Sequence, residues 1–185
     1  EAVSRVSALV AVEARRLGAQ VEVISNEKTG DHVIARFSSA SSAKPILLLC
    51  HMDTVFPLGT LEKMPFREAD GKIFGPGTLD MKAGIVISLA ATEELQNSGG
   101  LKLPVTLLCT SDEEIGSHSS RAWIEKLAQE SSAVFVFEPA LVDGSLKTWR
   151  KGGGGFYVTA KGRAAHAGGD HEKVWLATLG GVSAL

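Results

Sequence analysis

The chain has 185 residues, of which 44% are hydrophobic and 22% are charged, and its formal net charge is −2. This balance is typical of a folded protein with one substantial hydrophobic core. It does not indicate a nucleic-acid or anionic-membrane surface, and the longest apolar runs are far shorter than a membrane span.

The two ends of the sequence interrupt predicted elements. Glu1 already lies in a helical pattern, and the chain stops at Leu185 within another element. We therefore expect a fragment of a longer protein. A cytoplasmic location is favoured, although a secretory signal ahead of Glu1 would leave no trace in this sequence.

The first part of the chain predicts a helix followed by two short strands. Apolar residues recur at helical spacing over residues 2–17, and Gly18 follows as a stop signal. Residues 20–24 and 32–37 have the pattern of strands. We expect His32 to be a solvent-facing strand residue without a metal role.

The next predicted strand, Pro45–Cys50, leads directly into His51 and Asp53. Positions i and i+2 of an extended backbone face the same side, so these two side chains can lie together at the carboxyl end of the strand. Open α/β sheets bind their ligands at that end. The spacing suits a metal-ligating imidazole oriented by a carboxylate, but a capping or structural role is equally compatible with it.

A long connection over Phe56–Asp70 precedes a glycine-rich turn and a helix predicted from about Met81 to Gln96. Four apolar side chains are available for the buried face of this helix: Ile85, Val86, Leu89 and Leu95. Asp80 stands at its amino end. An N-cap aspartate is common there, so the position alone does not indicate chemistry.

The predicted strand Leu103–Cys109 is followed by three consecutive carboxylates at residues 112–114. Adjacent carboxylates repel one another unless a cation neutralises them, although a solvated acidic turn would also accommodate them. A helix is predicted from Ser117, with His118 on its surface.

A fourth apolar strand, Ser132–Phe137, ends in Glu138. Strands alternate with helices along the chain, which predicts an α/β domain with a largely parallel sheet. The carboxyl ends of parallel strands share one edge, so the histidine and the carboxylates that follow these strands would collect there. Such a nitrogen- and oxygen-rich set suits zinc, cobalt or manganese.

Cys50 and Cys109 each end an apolar run. We interpret them as buried free thiols on neighbouring strands rather than as a disulfide or as metal ligands.

The last part of the sequence differs in composition. The glycine run Gly152–Gly155 lacks the Gly-Lys-Ser/Thr ending of a phosphate-binding loop and is interpreted as a hinge. A half-exposed strand is predicted at Phe156–Lys161, and His166 follows among small residues, where a local hydrogen-bonding role would be the ordinary one. We predict a first domain over residues 1–148 and the beginning of a second over residues 149–185.

Five motifs occur in a characteristic order along about 120 residues. They are His51-Met52-Asp53-Thr54-Val55, Gly75-Pro76-Gly77 followed by Asp80, Asp112-Glu113-Glu114, Phe137-Glu138-Pro139, and Gly162-Arg163-Ala164-Ala165-His166-Ala167-Gly168. This pattern resembles the zinc-dependent aminoacylase/carboxypeptidase G family of metallopeptidases, in its amino-terminal half.

The resemblance implies a three-layer zinc-peptidase (phosphorylase/hydrolase-like) catalytic domain with a mainly parallel sheet. It also implies the truncated start of an α+β lid or dimerisation domain, and a homodimer for the full-length protein. The family's last zinc ligand, a histidine near the carboxyl terminus, has no counterpart in this sequence.

For the metals, the resemblance implies two Zn²⁺ per active site, with Co²⁺ or Mn²⁺ as substitutes. His51 and Glu138 would hold one zinc, Glu114 would hold the other, and Asp80 would bridge them.

For catalysis, the resemblance implies that Glu113 is the general base and that Asp53 orients the metal-bound histidine. His166 would reach into the partner subunit's site to stabilise the oxyanion.

The predicted activity is hydrolysis of a peptide or N-acyl amide bond next to a free carboxylate, with release of a C-terminal glutamate as one option. The substrate would be a small peptide or an N-acyl amino acid, with no nucleic acid and no membrane as partners. The main alternative is a catalytically incomplete fragment that serves as a metal-binding or interaction module. A nucleotide-binding domain is a more distant alternative, because no glycine fingerprint follows the first strand.

Overall fold

The computed structural model describes residues 2–154. The chain divides into two compact units, residues 1–139 and 140–185, and all helices and strands described below belong to the first. The division predicted between residues 148 and 149 stays a prediction. The predicted strand at Phe156–Lys161 and the predicted site residue His166 lie outside the described residues.

The helices and strands agree with most of the sequence predictions to within two residues. In chain order they are α1 (Ala2–Arg16), β1 (Gln20–Ile24), β2 (His32–Phe37), β3 (Ile46–His51), α2 (Thr60–Lys63), β4 (Arg67–Ala69), β5 (Lys72–Phe74), α3 (Ala83–Asn97), β6 (Val105–Thr110), α4 (Arg121–Glu130) and β7 (Ala133–Val136). Within residues 2–154, no helix is long and apolar enough to cross a membrane.

One predicted boundary is wrong, and one connection contains elements that were not predicted. The connection over Phe56–Asp70 contains α2 and the first strand of the β4–β5 hairpin. These elements have three or four residues each, too few for a hydrophobic period to appear. Helix α4 begins at Arg121 rather than Ser117, since a 3-10 turn at Glu113–Ile115 and a further turn precede it.

The central sheet has five strands in the order β1-β2-β6-β3-β7. Strands β6, β3 and β7 are parallel, whereas β1 and β2 join the other edge in antiparallel pairing. The predicted α/β class is therefore confirmed, with a mixed sheet whose parallel part carries the acidic motifs. Parallel strands are covered on both faces, which explains why β3 and β6 are continuous apolar runs.

Helices cover both faces of the sheet, as the three-layer prediction requires. Helices α1 and α3 pack on one face, where Leu48 and Leu107 point, and α4 packs on the other, where Leu47 and Leu108 point. Adjacent residues of one strand thus face opposite layers. The carboxyl ends of β3, β6 and β7 are left at one edge of the sandwich.

The buried face of α3 was predicted only in part. Ile85 and Leu89 are buried, but Val86 and Leu95 are exposed. Ser88 and Thr92 complete the buried face of α3. The Ser88 hydroxyl donates to the Ile85 carbonyl, and the Thr92 hydroxyl donates to the Ser88 carbonyl. This internal bonding lets small polar residues occupy a buried helix face, which a hydrophobic pattern cannot reveal.

The two cysteines are buried free thiols, as predicted. Cys50 on β3 lies directly opposite Cys109 on β6. The hydrogen bond between the thiols and their burial raise the pKa of Cys109 well above its usual value. Both thiols are therefore unreactive core residues.

Candidate metal centre

His51 is the centre of the cluster at the sheet edge. It is the last residue of β3, and its side chain is only 2% exposed. Its Nδ1 lies 3.2 Å from the carbonyl oxygen of Asp53 and 3.4 Å from Oδ1 of the same residue. Asp53 Oδ2 also accepts the backbone N–H of Glu114 at 2.9 Å. Asp53 thus connects the histidine ring to the loop that follows β6.

Three carboxylate oxygens face Nε2, the other ring nitrogen of His51. They are Asp80 Oδ1 at 3.1 Å, Glu138 Oε1 at 3.3 Å and Glu113 Oε2 at 3.9 Å. The side chains of Asp80 and Glu113 are about half exposed, whereas that of Glu138 is mostly covered. The cluster is therefore buried on its protein side and open to solvent on the other.

Two sets of side chains bring three candidate donor atoms within 4.8 Å of one another: His51 with Asp80 and Glu114, and His51 with Glu113 and Glu138. One imidazole and four carboxylates form a donor set that suits zinc. Four like charges at such short range repel one another unless a cation lies among them. Six of the seven residues named from the sequence thus meet here, and the seventh, His166, lies outside the described residues.

The charges of the cluster shift the titration of its members. Burial by itself lowers the pKa of His51, but the hydrogen bond with Asp53 and the negative charges of Glu138 and Glu113 raise it to about 9. Burial raises the pKa of Glu138, and the charges of Asp80 and Glu113 raise it further. Without a cation, His51 therefore holds a proton at neutral pH that a bound metal would displace.

The pKa of Asp53 is shifted in the opposite direction from that of Glu138. Burial alone would raise its pKa, but the hydrogen bonds from His51 and from the Glu114 amide keep the pKa below its ordinary value. An ionised Asp53 can hold the proton of His51 on Nδ1 and leave Nε2 free as a ligand.

Lys82 was not identified from the sequence as a charged neighbour of the acidic cluster. Burial lowers its pKa, although the negative charges of Asp53, Glu114 and Asp80 oppose the shift. Its Nζ lies over Gly77, where an added Cβ would stand 2.7 Å from the ammonium nitrogen. The available signal was the position of Lys82 two residues after Asp80.

A close contact between two elements brings Asp80 and Glu138 together. Gly84, in the first turn of α3, lies against Phe137, the residue before Glu138. A Cβ added at Gly84 would collide with the Phe137 carbonyl oxygen and stand 2.9 Å from the Phe137 Cβ. Only glycine permits this approach of the helix to the end of β7.

Replacing Gly84 with alanine is expected to destabilise the fold by about 1–3 kcal/mol, because the methyl group must push the helix away from Phe137. Chemical denaturation measures the free energy of unfolding, with Gly152→Ala as a control at a glycine that has no neighbour within 4 Å. A Gly84→Ala variant as stable as the parent chain would contradict this account of the contact.

The prediction that His32 faces solvent is wrong. His32 is 1% exposed and contacts Ser111 and Ser119, which flank the acidic loop. Strand β2 pairs with β1 and β6 on its two sides, and residues 32–35 are all buried, so alternation along the strand does not separate an outer from an inner face. Burial lowers the pKa of His32, although Asp112, Asp31 and Asp53 oppose the shift.

Comparison with known proteins places this geometry in a wider group. Residues 47–167 match the sequence profile of peptidase family M20/M25/M40. Carboxypeptidase G2 from Pseudomonas sp. (strain RS-16) is 35% identical over 145 residues, which cover 77% of this chain and 35% of that protein. A probable succinyl-diaminopimelate desuccinylase from Staphylococcus epidermidis is 30% identical over 151 residues, covering 78% and 37%.

Solved structures agree on the fold. An M20 family metallo-carboxypeptidase from Sulfolobus solfataricus superposes with a TM-score of 0.65 at 22% identity, covering 78% of this chain and 34% of that one. Human carnosine dipeptidase 1 also gives a TM-score of 0.65, at 18% identity, covering 76% and 33%. The chain spans roughly a third of the length of these relatives.

Proposed function

The chain belongs to the M20/M25/M40 family of peptidases, and from this premise we propose that its acidic cluster is a two-zinc site that hydrolyses peptide or N-acyl amide bonds. The observation that carries the proposal is the convergence of His51 with four carboxylates at the carboxyl edge of the parallel strands. A structural role alone would not require so many like charges beside one buried histidine.

We propose that the donor set is divided between two ions. His51 and Glu138 would hold one zinc, Glu114 would hold the other, and Asp80 would bridge them. Zinc in such a site polarises the scissile carbonyl and lowers the pKa of water. Asp53, whose acceptor oxygens lie beside Nδ1, would keep the imidazole proton there and leave Nε2 of His51 free to bind zinc.

Glu113 is the proposed general base. Its Oε2 lies 3.9 Å from His51 Nε2, and its side chain is 49% exposed, so it borders both the donor atoms and the solvent. From there the carboxylate can take a proton from the attacking water and return it to the leaving amine.

The proposed substrate carries a carboxylate next to the scissile amide. The names of two relatives, a carboxypeptidase and a desuccinylase, both describe hydrolysis at an amide that has a carboxylate near it. Release of a C-terminal glutamate is one form of this reaction. We also propose that residues 149–185 begin a lid domain, that the full-length protein is a homodimer, and that His166 stabilises the oxyanion in the partner's site.

The test is hydrolysis of N-acetyl-glutamate by the zinc-loaded chain, with N-ethylacetamide, an amide that has no carboxylate, as the control substrate. We expect turnover of the acidic substrate that disappears after treatment with a chelator and returns when zinc is added. Zinc uptake without turnover would favour the alternative, a metal-binding or interaction module. Turnover that a chelator leaves unchanged would contradict the metal-dependent mechanism.

A further inference from the structure

Behind the acidic loop, the buried ring of His32 joins the two ends of that loop. Its Nδ1 accepts the backbone N–H of Ser111 at 3.1 Å. Its Nε2 lies 3.1 Å from the hydroxyl oxygen of Ser119. Ser111 precedes Glu113 by two residues, and Ser119 follows Glu114 by five. One side chain of β2 thus spans the base of the loop that carries both glutamates.

The hydrogen-bond directions form one consistent chain. Because Nδ1 accepts from the Ser111 amide, the ring proton of a neutral His32 lies on Nε2 and is donated to the Ser119 oxygen. The Ser119 hydroxyl is then free to donate to Asp112 Oδ2 at 2.6 Å. The Ser111 hydroxyl donates to the Gly30 carbonyl at 2.5 Å, so it does not compete for the same acceptor.

The carboxylate of Asp112 also holds this loop, by accepting hydrogen bonds from its far end. Its Oδ2 also accepts the backbone N–H of Ser119 at 2.6 Å and that of Ser120 at 3.3 Å. The Asp112 side chain is fully buried, and these hydrogen bonds keep its pKa below the ordinary value despite burial. Breaking one member of this network would leave a buried carboxylate with fewer donors, which is costly.

This hydrogen-bond network is connected to the metal cluster through Glu113 and Glu114. Glu113 and Glu114 lie between its two ends, and the Glu114 amide donates to Asp53 Oδ2. The side chain of Glu113 is exposed and that of Glu114 is half-buried, so packing alone does not fix their backbone. The hydrogen bonds at the base of the loop act together with the Glu114–Asp53 bond and with the bond from the Ser117 amide to the Asp112 carbonyl.

We propose that His32 and Ser119 are positioning residues, which close the base of the 111–119 loop and thereby hold Glu113 and Glu114 at the donor atoms of His51. This proposal depends on the proposed function only where it assigns metal binding to Glu114 and proton transfer to Glu113. The closure of the loop depends only on the hydrogen bonds of His32, Ser119 and Asp112.

The test compares Ser119→Ala and His32→Leu with Ser88→Ala, which removes a buried hydroxyl bonded within α3 and far along the chain from the loop. Hydrogen exchange is measured at the Glu114 amide, which donates to Asp53, and at the Ser117 amide, which donates to the Asp112 carbonyl, relative to the Cys109 amide of β6. Zinc affinity is measured by competition with a chelator. Two further variants test the two hydrogen bonds of the His32 ring separately. His32→Asn keeps an acceptor for Ser111, and His32→Gln keeps a donor for Ser119.

We expect about tenfold faster relative exchange at the Glu114 and Ser117 amides and about tenfold weaker zinc binding in Ser119→Ala and His32→Leu. The Ser88→Ala control should change neither, and His32→Asn and His32→Gln should each recover part of the loss. Exchange that rises equally at every amide, with zinc affinity unchanged, would overturn the proposal, because it would show a role in global stability alone. If no variant and not even the parent chain binds zinc, the proposed function fails, while the exchange ratios still decide whether the loop is closed by His32.

Discussion

Replacing Asp80 with alanine is expected to reduce the zinc bound per chain from about two ions to one or none. Asp80 Oδ1 lies 3.1 Å from His51 Nε2, and the same residue forms a candidate donor set with Glu114. Its carboxylate is therefore within reach of both His51 and Glu114, which we propose bind different ions. Without it, the remaining carboxylates would have to hold two cations with no shared ligand.

The measurement is zinc content by elemental analysis after zinc loading and desalting. Asp143→Ala is the matched control, because it removes an exposed carboxylate that bonds only locally to Ser145 among the described residues. Unchanged zinc content in Asp80→Ala would contradict the bridging role. A parent chain that binds one zinc or none would show that the donors in this chain assemble only part of the site.

Replacing Glu113 with glutamine is expected to lower turnover by about 10²- to 10⁴-fold while zinc content stays near that of the parent chain. Glutamine keeps the shape and one oxygen of the side chain but cannot accept a proton at neutral pH. The loss should appear in kcat, since the substrate still meets the same metal ligands.

Glu125→Gln on α4 is the matched control, since Glu125 forms an exposed ion pair with Arg121. A Glu113→Gln variant that keeps full activity would show that the general base has been assigned wrongly. Loss of zinc together with activity would instead make Glu113 a metal ligand, an outcome compatible with its place in the set with His51 and Glu138.

The location of the cluster was predictable because the position of each strand in the sequence can be recognised from a short run of neighbouring residues. Apolar runs of five or six residues identify β3 and β6, and polar residues directly after them must lie at the ends of those strands. Once the sheet is parallel in this region, His51 and the carboxylates after β6 and β7 share an edge whatever the details of packing. That argument needs no distances.

The sequence could not show what holds the cluster in place. The collision that makes Gly84 necessary is with Phe137, which lies 53 residues further along the chain, so no local pattern records it. The same is true of His32, whose partners Ser111 and Ser119 come from the end of the neighbouring strand β6 and from the loop that follows it, about 80 residues further along the chain.

The sequence by itself therefore determined the α/β class, the strands that carry the chemistry and the residues whose side chains meet. The tertiary structure decided which faces of α3 and β2 are buried, how closely α3 approaches β7, and which groups support the loop of Glu113. The physical reason is that period and composition describe how a segment faces a generic core. Close approach, shared hydrogen bonds and the shift of a pKa such as that of His51 depend on segments far apart in the chain.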